Sequence, residues 1–351
     1  MSAMMKNIFY YDHLNHPVYL ELMGKRKDVL VHKVDAATPP ARMAEVLAGA
    51  HAYQIGSDQN EMPPNLQGCD ALFRRAPNLL MVSTSGAGYD TIDLEACTRA
   101  GILAMNQAGG NAEAVAEHVL GMMFCLSKRI IETDRFMRRE AGIKRVEFMG
   151  HDALGKTIGI VGLGHVGTRI AELCRGLMRM RVLAYDPYLS AEVMAKRGGE
   201  KVSLDSIFRE SDYVSINCPL NAESKGMVGA AQYALMKKEA FFISTARGGI
   251  HDEMALADSL REKRIAGAGL DVWDPEPPPP SHPLMQFDNV LLSPHTAGVT
   301  HESRTRITTI AVEQLLGAFD GKRPPRLLNP AAWPLFCERF EKEFGRLPEP
   351  A

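Results

Sequence analysis

The chain has 351 residues, of which 46% are hydrophobic and 23% are charged, and its formal net charge at pH 7 is −2. This balance lacks the basic footprint of a nucleic-acid-binding protein, and without a run of about 18 apolar residues we expect no membrane span. At roughly 100–200 residues per domain, the length predicts about two domains.

The N-terminal residues, MSAMMKNIFYYDHLNH, contain no continuous apolar segment followed by a small-residue cleavage site. We therefore expect no secretory signal and a cytoplasmic protein. The six cysteines are scattered without a C-x-x-C pair, which argues against a zinc site and against a disulfide framework. We expect most of them to be buried thiols in a reducing compartment.

The N-terminal third contains two short apolar runs, residues 51–55 and 78–84, followed by a long helical pattern over residues 111–139. A helix of that length could leave one domain and enter the next. Near the C-terminus, another helical pattern over residues 301–321 ends at Gly321, since glycine commonly follows the last helical turn.

The middle of the chain alternates short apolar runs with helical stretches, and the runs cover residues 157–161, 181–185, 213–217, 240–244, 267–272 and 289–293. Continuous apolar runs indicate strands that are covered by helices on both faces, as in parallel sheets. The intervening helices include residues 166–180 and 251–264, the second with His251 or Asp252 near its start. We predict an α/β fold with a doubly wound parallel sheet.

A glycine-rich turn, GIVGLGHVGTRI (159–170), lies between the first of these strands and the helix after it. Gly162 permits the tight turn, Gly164 lets the backbone approach a pyrophosphate, and Gly167 lets the helix pack closely on the strand. The free N–H groups at the helix N-terminus would then face the phosphates. This context predicts a dinucleotide-binding site.

Asp186 ends the next strand, 19 residues after Gly167. A carboxylate at this position accepts hydrogen bonds from the adenosine ribose hydroxyls and repels a 2′-phosphate. The segment YDPYLS has no arginine or lysine adjacent to Asp186 that would reverse this preference. We therefore predict NAD, rather than NADP, as the cofactor.

Three polar residues, Arg247, Glu276 and His295, follow predicted strand ends. In a parallel sheet they would all lie at the carboxyl edge, which also carries the glycine turn. Histidine exchanges a proton near neutral pH, a nearby carboxylate orients its ring, and arginine presents a planar fork to a carboxylate or carbonyl oxygen. The set suits hydride transfer at the hydroxyl-bearing carbon of a 2-hydroxy acid.

Several motifs together resemble those of the D-isomer-specific 2-hydroxyacid dehydrogenases, over nearly the whole chain. They are TSGAGYDTID (84–93), NAEAVAEHVLGMM (111–123), GKTIGIVGLGHVG (155–167), CPLNAES (218–224), STARGGIHDEMAL (244–256), GAGLDVWDPEP (267–277) and SPHTAG (293–298). The resemblance implies two Rossmann-like doubly wound domains. A substrate-binding domain comprises residues 1–115 and 299–351, and an NAD-binding domain of residues 116–298 is inserted into it. A homodimer is also implied.

By motif position, the resemblance implies that His295 is the acid/base, Glu276 its partner and Arg247 the substrate anchor. It also implies that backbone N–H groups around Ala87 and Gly88 help to hold the substrate carboxylate. Asp271 would bind the nicotinamide carboxamide. The expected cofactor contacts are Gly162, Gly164, His165, Val166, Gly167, Asp186, Pro187, Cys218, Pro219, Thr245, Ala246, Arg247, Asp271, His295 and Gly298.

Three positions depart from the family's usual motifs. Asn221 and Ala112 stand where threonine is common, and His251 stands where an apolar residue is typical. We expect His251 to be a polar residue at a helix start rather than a second catalytic group. The C-terminal residues Trp333 and Phe336 could line a pocket or pack on the surface.

Other functions occur on the same scaffold. Glu276 speaks against a formate dehydrogenase, in which glutamine is typical at that position. A phosphoglycerate dehydrogenase would need basic side chains for its substrate's phosphate, and Arg74 and Arg75 are conceivable donors. An NAD(H)-sensing corepressor-like scaffold retains the same three polar residues, so those residues do not exclude it.

Overall fold

The structure, a computed structural model, describes residues 4–57, 62–142 and 144–349. The chain divides into two compact units, one formed by Met1–Asn111 and Thr300–Ala351 and the other by Ala112–Val299. In the described residues each unit is built on its own parallel sheet. This confirms the predicted α/β class with two doubly wound sheets.

The first unit contains a five-stranded sheet, within the described residues, in the order β2-β1-β3-β4-β5. Its strands are β1 (Lys6–Tyr11), β2 (Val29–Val34), β3 (Ala52–Ile55), β4 (Met81–Thr84) and β5 (Leu103–Met105). The helices between them are α1 (Val18–Met23), α2 (Pro40–Gly49), α3 (Asp70–Phe73) and α4 (Leu94–Arg99). The apolar runs at 51–55 and 78–84 contain β3 and β4.

The second unit begins with α5 (Ala112–Ser127) and α6 (Ile130–Arg139). The prediction of one helix over residues 111–139 was wrong, because Arg129 takes a left-handed conformation with φ 53° and ends the hydrogen-bonded ladder between the two helices. The helical periodicity continues on both sides of this residue, so the pattern did not reveal the break.

Seven strands form the sheet of the second unit within the described residues, in the order β12-β11-β10-β9-β6-β7-β8. They are β6 (Thr157–Val161), β7 (Arg181–Tyr185), β8 (Glu200–Lys201), β9 (Tyr213–Ile216), β10 (Phe241–Ser244), β11 (Gly267–Leu270) and β12 (Val290–Leu292). All six predicted runs contain strands. The two-residue β8 was missed because both of its side chains are exposed, so it has no apolar run.

The helices of this sheet are α7 (His165–Met178), α8 (Ala191–Lys196), α9 (Leu204–Glu210), α10 (Ala230–Leu235) and α11 (Glu253–Arg261). The chain then returns to the first unit with α12 (His301–Phe319) and α13 (Trp333–Phe344). Short 3-10 helices cover Pro64–Leu66, Arg145–Phe148, Pro283–Gln286 and Pro330–Ala332. In the portion of the chain that is described, no helix is both long and apolar enough to cross a membrane.

The C-terminal aromatic residues belong to the core of the first unit. Trp333, Phe336 and Phe340 are buried there, and the rings of Trp333 and Phe336 stack with centroids 5.2 Å apart. The alternative that Trp333 and Phe336 pack on the surface was therefore wrong, and whether they line a pocket stays a prediction. The cysteine prediction needs a smaller correction: Cys97 and Cys174 are buried, whereas the other four thiols are partly exposed.

Candidate active site

The glycine turn lies where the strand order of the second sheet reverses, between β6 and β9. Gly162 follows β6 with φ 91°, and its N–H donates to the carbonyl oxygen of Tyr185 at 2.8 Å. A Cβ at this position would lie 2.7 Å from the backbone nitrogen of Cys218, at the end of β9. Both the conformation and the contact therefore require glycine.

The other two glycines differ in their surroundings: Gly167 allows close packing of the helix, and Gly164 faces open space. A Cβ at Gly167 would collide with the carbonyl oxygen of Gly162, so this glycine lets α7 lie close to the turn. A Cβ at Gly164 would meet no atom within 4 Å, so its backbone faces open space. His165 and Val166 begin α7, whose first N–H groups have no acceptor within the helix. This arrangement fits a phosphate group.

Asp186 follows β7 and is hydrogen-bonded to the glycine turn. Its Oδ2 accepts from the N–H of Leu163 at 3.1 Å, and its Oδ1 accepts from the N–H of Tyr188 at 3.1 Å. Arg197, at the end of α8, donates from Nη1 to the carbonyl oxygen of Leu163 at 2.6 Å. The residues adjacent to Asp186, among them the exposed Pro187, include no cation. Arg197 was not predicted because it lies 11 residues further along the chain.

The loops after β9 and β10 carry more of the expected cofactor contacts: Cys218, Pro219, Thr245 and Ala246. Burial raises the pKa of the Cys218 thiol to about 11, so it is protonated at neutral pH and is not a nucleophile. The Oδ1 of Asn217 and the Oγ1 of Thr245 are buried without a hydrogen-bond partner in the described residues. Buried polar atoms ordinarily have partners, so these two fit a polar ligand at this edge.

His295 and Glu276 form a direct pair at the same edge. The Nδ1 of His295, after β12, lies 3.0 Å from the Oε2 of Glu276, after β11. The side chains are 31% and 16% exposed, respectively, so the ring is reachable while the carboxylate is largely enclosed. Because an ionised carboxylate only accepts, the ring donates from Nδ1, and Nε2 is the nitrogen that does not face Glu276.

Arg247 follows β10, half-buried, with its Nη1 donating to the carbonyl oxygen of Ala246 at 2.7 Å. The next residue, Gly248, packs so closely against the carbonyl of Trp273 that a Cβ would collide with it. The segment that carries Arg247 therefore touches the segment that leads to Glu276. The structure pairs His295 with Glu276 directly and places Arg247 in the adjoining loop.

Asp271 is fully buried, and its carboxylate holds the loop of His295. Its Oδ1 accepts from the Oγ of Ser293 at 2.6 Å and from the N–H of Thr296 at 2.8 Å, and its Oδ2 accepts from the N–H of Ala297 at 2.9 Å. Gly298 follows in the same loop. The role of Asp271 toward a nicotinamide stays a prediction, and its role in holding this loop was missed.

In the first unit, Ala87 and Gly88 lie in the loop after β4. The carbonyl oxygen of Ala87 accepts from the side-chain amide of Asn106 at 2.8 Å, and that of Gly86 accepts from the N–H of Gln107 at 3.0 Å. These bonds hold the loop against the segment after β5. Contact of its N–H groups with a substrate carboxylate stays a prediction.

Asn221 and Ala112, two of the departures from the family motifs, lie in a loop and at a helix start, respectively. Asn221 accepts at Oδ1 from the N–H groups of Glu223 and Ser224, both at 2.9 Å, so its side chain orders the loop after β9. Ala112 is the first residue of α5.

His251 lies between β10 and α11 and is 3% exposed, with no hydrogen-bond partner for either ring nitrogen among the described residues. Its ring packs against Phe242, with centroids 5.2 Å apart. His251 lies at the start of the helix as expected, directly before the N-cap, but the cap itself is Asp252, which accepts from the N–H groups of Met254 and Ala255. Burial lowers the pKa of His251 to about 4.

We expect the His251→Val variant to lose less stability than the unaltered protein between pH 7 and pH 5. The folded-state pKa of about 4 lies below the unfolded value of about 6.5, so the stability contributed by the neutral ring is present above pH 6.5 and is lost as the pH falls toward 4. Removing the ring should spare about 2 kcal/mol of this loss, measured by urea unfolding at both pH values. The exposed His13→Val variant serves as control, and an equal pH dependence in His251→Val would contradict the prediction.

Most of the chain is similar in sequence or in fold to known dehydrogenases and to solved structures. Residues 120–297 match the model of the "D-isomer specific 2-hydroxyacid dehydrogenase, NAD binding domain". A glyoxylate reductase of Aeropyrum pernix is 37% identical over 89% of this chain and 93% of its own length. A D-3-phosphoglycerate dehydrogenase of Archaeoglobus fulgidus is 37% identical over 71% of this chain and 47% of its own length. Among solved structures, the TT0316 protein of Thermus thermophilus superimposes with a TM-score of 0.78 at 28% identity, covering 92% of this chain and 99% of that one.

Proposed function

This chain belongs to the D-isomer-specific 2-hydroxyacid dehydrogenase family, and from that premise we propose that it interconverts a D-2-hydroxy acid and its 2-keto acid through His295, Glu276 and Arg247. Family membership makes it an NAD-dependent oxidoreductase that acts on a CH–OH group. The single observation that carries the assignment of residues is the 3.0 Å pair of His295 and Glu276 at the edge of the sheet that also carries the glycine turn.

In this proposal His295 moves the proton. During reduction, its Nε2 gives a proton to the carbonyl oxygen of the keto acid, which becomes the hydroxyl of the product. During oxidation, Nε2 removes the hydroxyl proton. Glu276 keeps the ring oriented through Nδ1 and stabilises the positive charge while both nitrogens are protonated.

Arg247 binds the substrate in the same proposal. Its guanidinium is charged at all relevant pH values and matches a carboxylate with two parallel N–H donors. It can also polarise the carbonyl oxygen that receives the proton. The N–H groups of Ala87 and Gly88 are proposed to hold the substrate carboxylate.

The glycine turn, the first turn of α7 and Asp186 would hold NAD(H), with Thr245 and Asn217 as further polar partners. When bound, this cofactor supplies or accepts the hydride. We propose a preference for NAD over NADP because the carboxylate of Asp186 would lie at the ribose and repel a 2′-phosphate. The positive charge of Arg197, which contacts the same turn, would instead attract a 2′-phosphate. Variants of Asp186 and Arg197 therefore test the proposed preference from both sides.

The proposed function is tested by following NADH consumption with a panel of keto acids. Glyoxylate comes first because a relative named glyoxylate reductase is 37% identical over 89% of this chain. The panel continues with hydroxypyruvate, pyruvate and bulkier 2-keto acids, and each active substrate is repeated with NADPH. We expect turnover with at least one small 2-keto acid. Tight NADH binding without any turnover would contradict the enzymatic proposal and favour a dinucleotide-sensing scaffold.

A phosphoglycerate dehydrogenase activity is the second candidate, because a relative of that name is 37% identical. Arg74 and Arg75 are both exposed, and Arg75 donates from Nη1 to the carbonyl oxygen of Asn65 at 3.1 Å. Faster reduction of 3-phosphohydroxypyruvate than of hydroxypyruvate, with a KM raised in the Arg74→Ala variant, would favour this candidate.

We also propose a homodimer. Helix α6 has no buried residue, and apolar side chains on and after it are exposed: Ile130, Met137, Val146 and Met149. Exposed apolar side chains grouped in one region indicate an interface. A second copy of the chain is the partner that the family resemblance implies.

The Met137→Asp variant should be monomeric where the unaltered protein is dimeric. Met137 is 69% exposed, so a carboxylate there costs the single chain little but is desolvated in an interface. Light scattering coupled to size-exclusion chromatography would give the molar mass, which corresponds to one or to two chains of 38.6 kDa each. Leu20→Asp, on α1, is the matched control. A monomeric unaltered protein would refute the dimer.

A further inference from the structure

Helix α5 packs against β11 and so comes within reach of the loop that carries His295. A Cβ on Gly269 would lie 2.8 Å from the Sδ of Met122, which shows how closely the helix and strand approach. One turn earlier on α5, His118 lies on the same helix face as Met122. Its Nε2 lies 3.1 Å from the Oγ of Ser293 and 3.9 Å from the Oδ1 of Asp271.

The direction of these hydrogen bonds follows from the groups themselves. The Asp271 carboxylate only accepts, so the hydroxyl of Ser293 must donate to it across 2.6 Å. A hydroxyl has a single hydrogen, and Ser293 therefore accepts in its bond with His118. The ring of His118 must then carry its proton on Nε2.

The far end of this chain of bonds is the backbone around His295. Asp271 accepts at its two carboxylate oxygens from the N–H groups of Thr296 and Ala297, and its backbone carbonyl accepts from the N–H of His295 at 2.7 Å. His295 has φ 56°, a left-handed conformation that costs free energy for a residue with a side chain. Neighbouring contacts must hold it in place, and Asp271 supplies three of them.

We propose that His118 is a positioning residue for His295, acting through Ser293 and Asp271. The bond from His118 fixes the hydroxyl of Ser293 toward Asp271, and Asp271 in turn holds the left-handed turn that aims the imidazole of His295. His118 touches neither substrate nor cofactor in this role. The inference depends on the proposed function, because it assumes that His295 is the acid/base.

The test is a double-mutant cycle on kcat with saturating NADH and the best keto acid. We expect His118→Leu and Ser293→Ala each to lower kcat about 10-fold, since a small misplacement of a catalytic group has effects of this size or larger. The double variant should fall no further than either single variant, because both break the same chain of bonds. The KM for NADH should stay within two-fold.

The conservative variant His118→Gln provides a rescue, because its Nε2 can donate to Ser293 from a similar position. It should recover most of kcat. A residue that only supports packing would instead lower the urea midpoint, and its effect would add to that of Ser293→Ala. Additive losses, no rescue by glutamine, or unchanged kcat in His118→Leu would each overturn the inference while His295→Ala remains inactive. If His295→Ala is itself fully active, the proposed function fails first.

Discussion

Replacing His295 by alanine should lower kcat by about 10²–10⁴-fold, the usual contribution of a positioned general acid/base. His295 donates from Nδ1 to Glu276 across 3.0 Å, so Nε2 is the nitrogen left to exchange a proton with the substrate oxygen. Without the ring, water has to supply that proton. The NADH dissociation constant should stay within a few-fold, because the glycine turn and Asp186 lie on other loops.

The measurement combines steady-state rates of keto acid reduction with NADH fluorescence titration. His151→Ala is a matched control: this histidine is 49% exposed and lies before β6, away from the sheet's carboxyl edge. A Glu276→Gln variant keeps an acceptor for Nδ1 but removes the charge. Its kcat should lie between that of the unaltered protein and that of His295→Ala. Unchanged kcat in His295→Ala would remove His295 from the mechanism.

Replacing Asp186 by alanine should shift the ratio of kcat/KM for NADH over NADPH by about 100-fold toward NADPH, which corresponds to about 2.7 kcal/mol. In the proposed binding mode the carboxylate of Asp186 would repel a 2′-phosphate, whereas the guanidinium of Arg197 contacts the same turn at the carbonyl oxygen of Leu163. If the 2′-phosphate binds beside this turn as proposed, loss of the carboxylate would leave the guanidinium of Arg197 as its nearest charged neighbour. Part of the change should be weaker NADH binding, since the bond to the Leu163 N–H is also lost.

The double variant Asp186→Ala/Arg197→Ala separates repulsion from attraction. It should lose most of the gain with NADPH while keeping the weaker binding of NADH. Arg209→Ala, an exposed arginine on α9, is the control for a general loss of positive charge. Equal use of both cofactors by the unaltered protein would refute the interpretation of Asp186.

The strands of the second unit were predictable because helices cover both faces of its sheet, so each central strand is a continuous apolar run. The six runs between residues 157 and 293 all contain strands. The edge strands β2 and β8 lack a continuous buried run, because the middle four residues of β2 are partly or fully exposed and both residues of β8 are exposed, and neither strand was predicted. The break at Arg129 was equally hidden, since one left-handed residue leaves the apolar periodicity on either side unchanged.

Parts of the candidate site that depend on local sequence were predictable, and parts that depend on contacts between distant residues were not. Local motifs identified the glycine turn, Asp186 and the three polar residues, because each follows a strand whose polarity places it at one edge. The contact of Arg197 with the turn and the path from His118 through Ser293 to Asp271 join residues that are 34 and 175 positions apart, respectively. No local pattern encodes such pairs.

The sequence by itself determined the fold class, the dinucleotide turn and the identity of the polar residues at the strand ends, because these depend on spacing within one or two neighbouring elements. The tertiary structure decided which nitrogen of His295 is engaged, that Asp271 is enclosed and that His251 is buried without a partner among the described residues. These properties depend on distances between elements and on exclusion of water. Both are set by how helices pack on the sheet, so they exist only once the chain has folded.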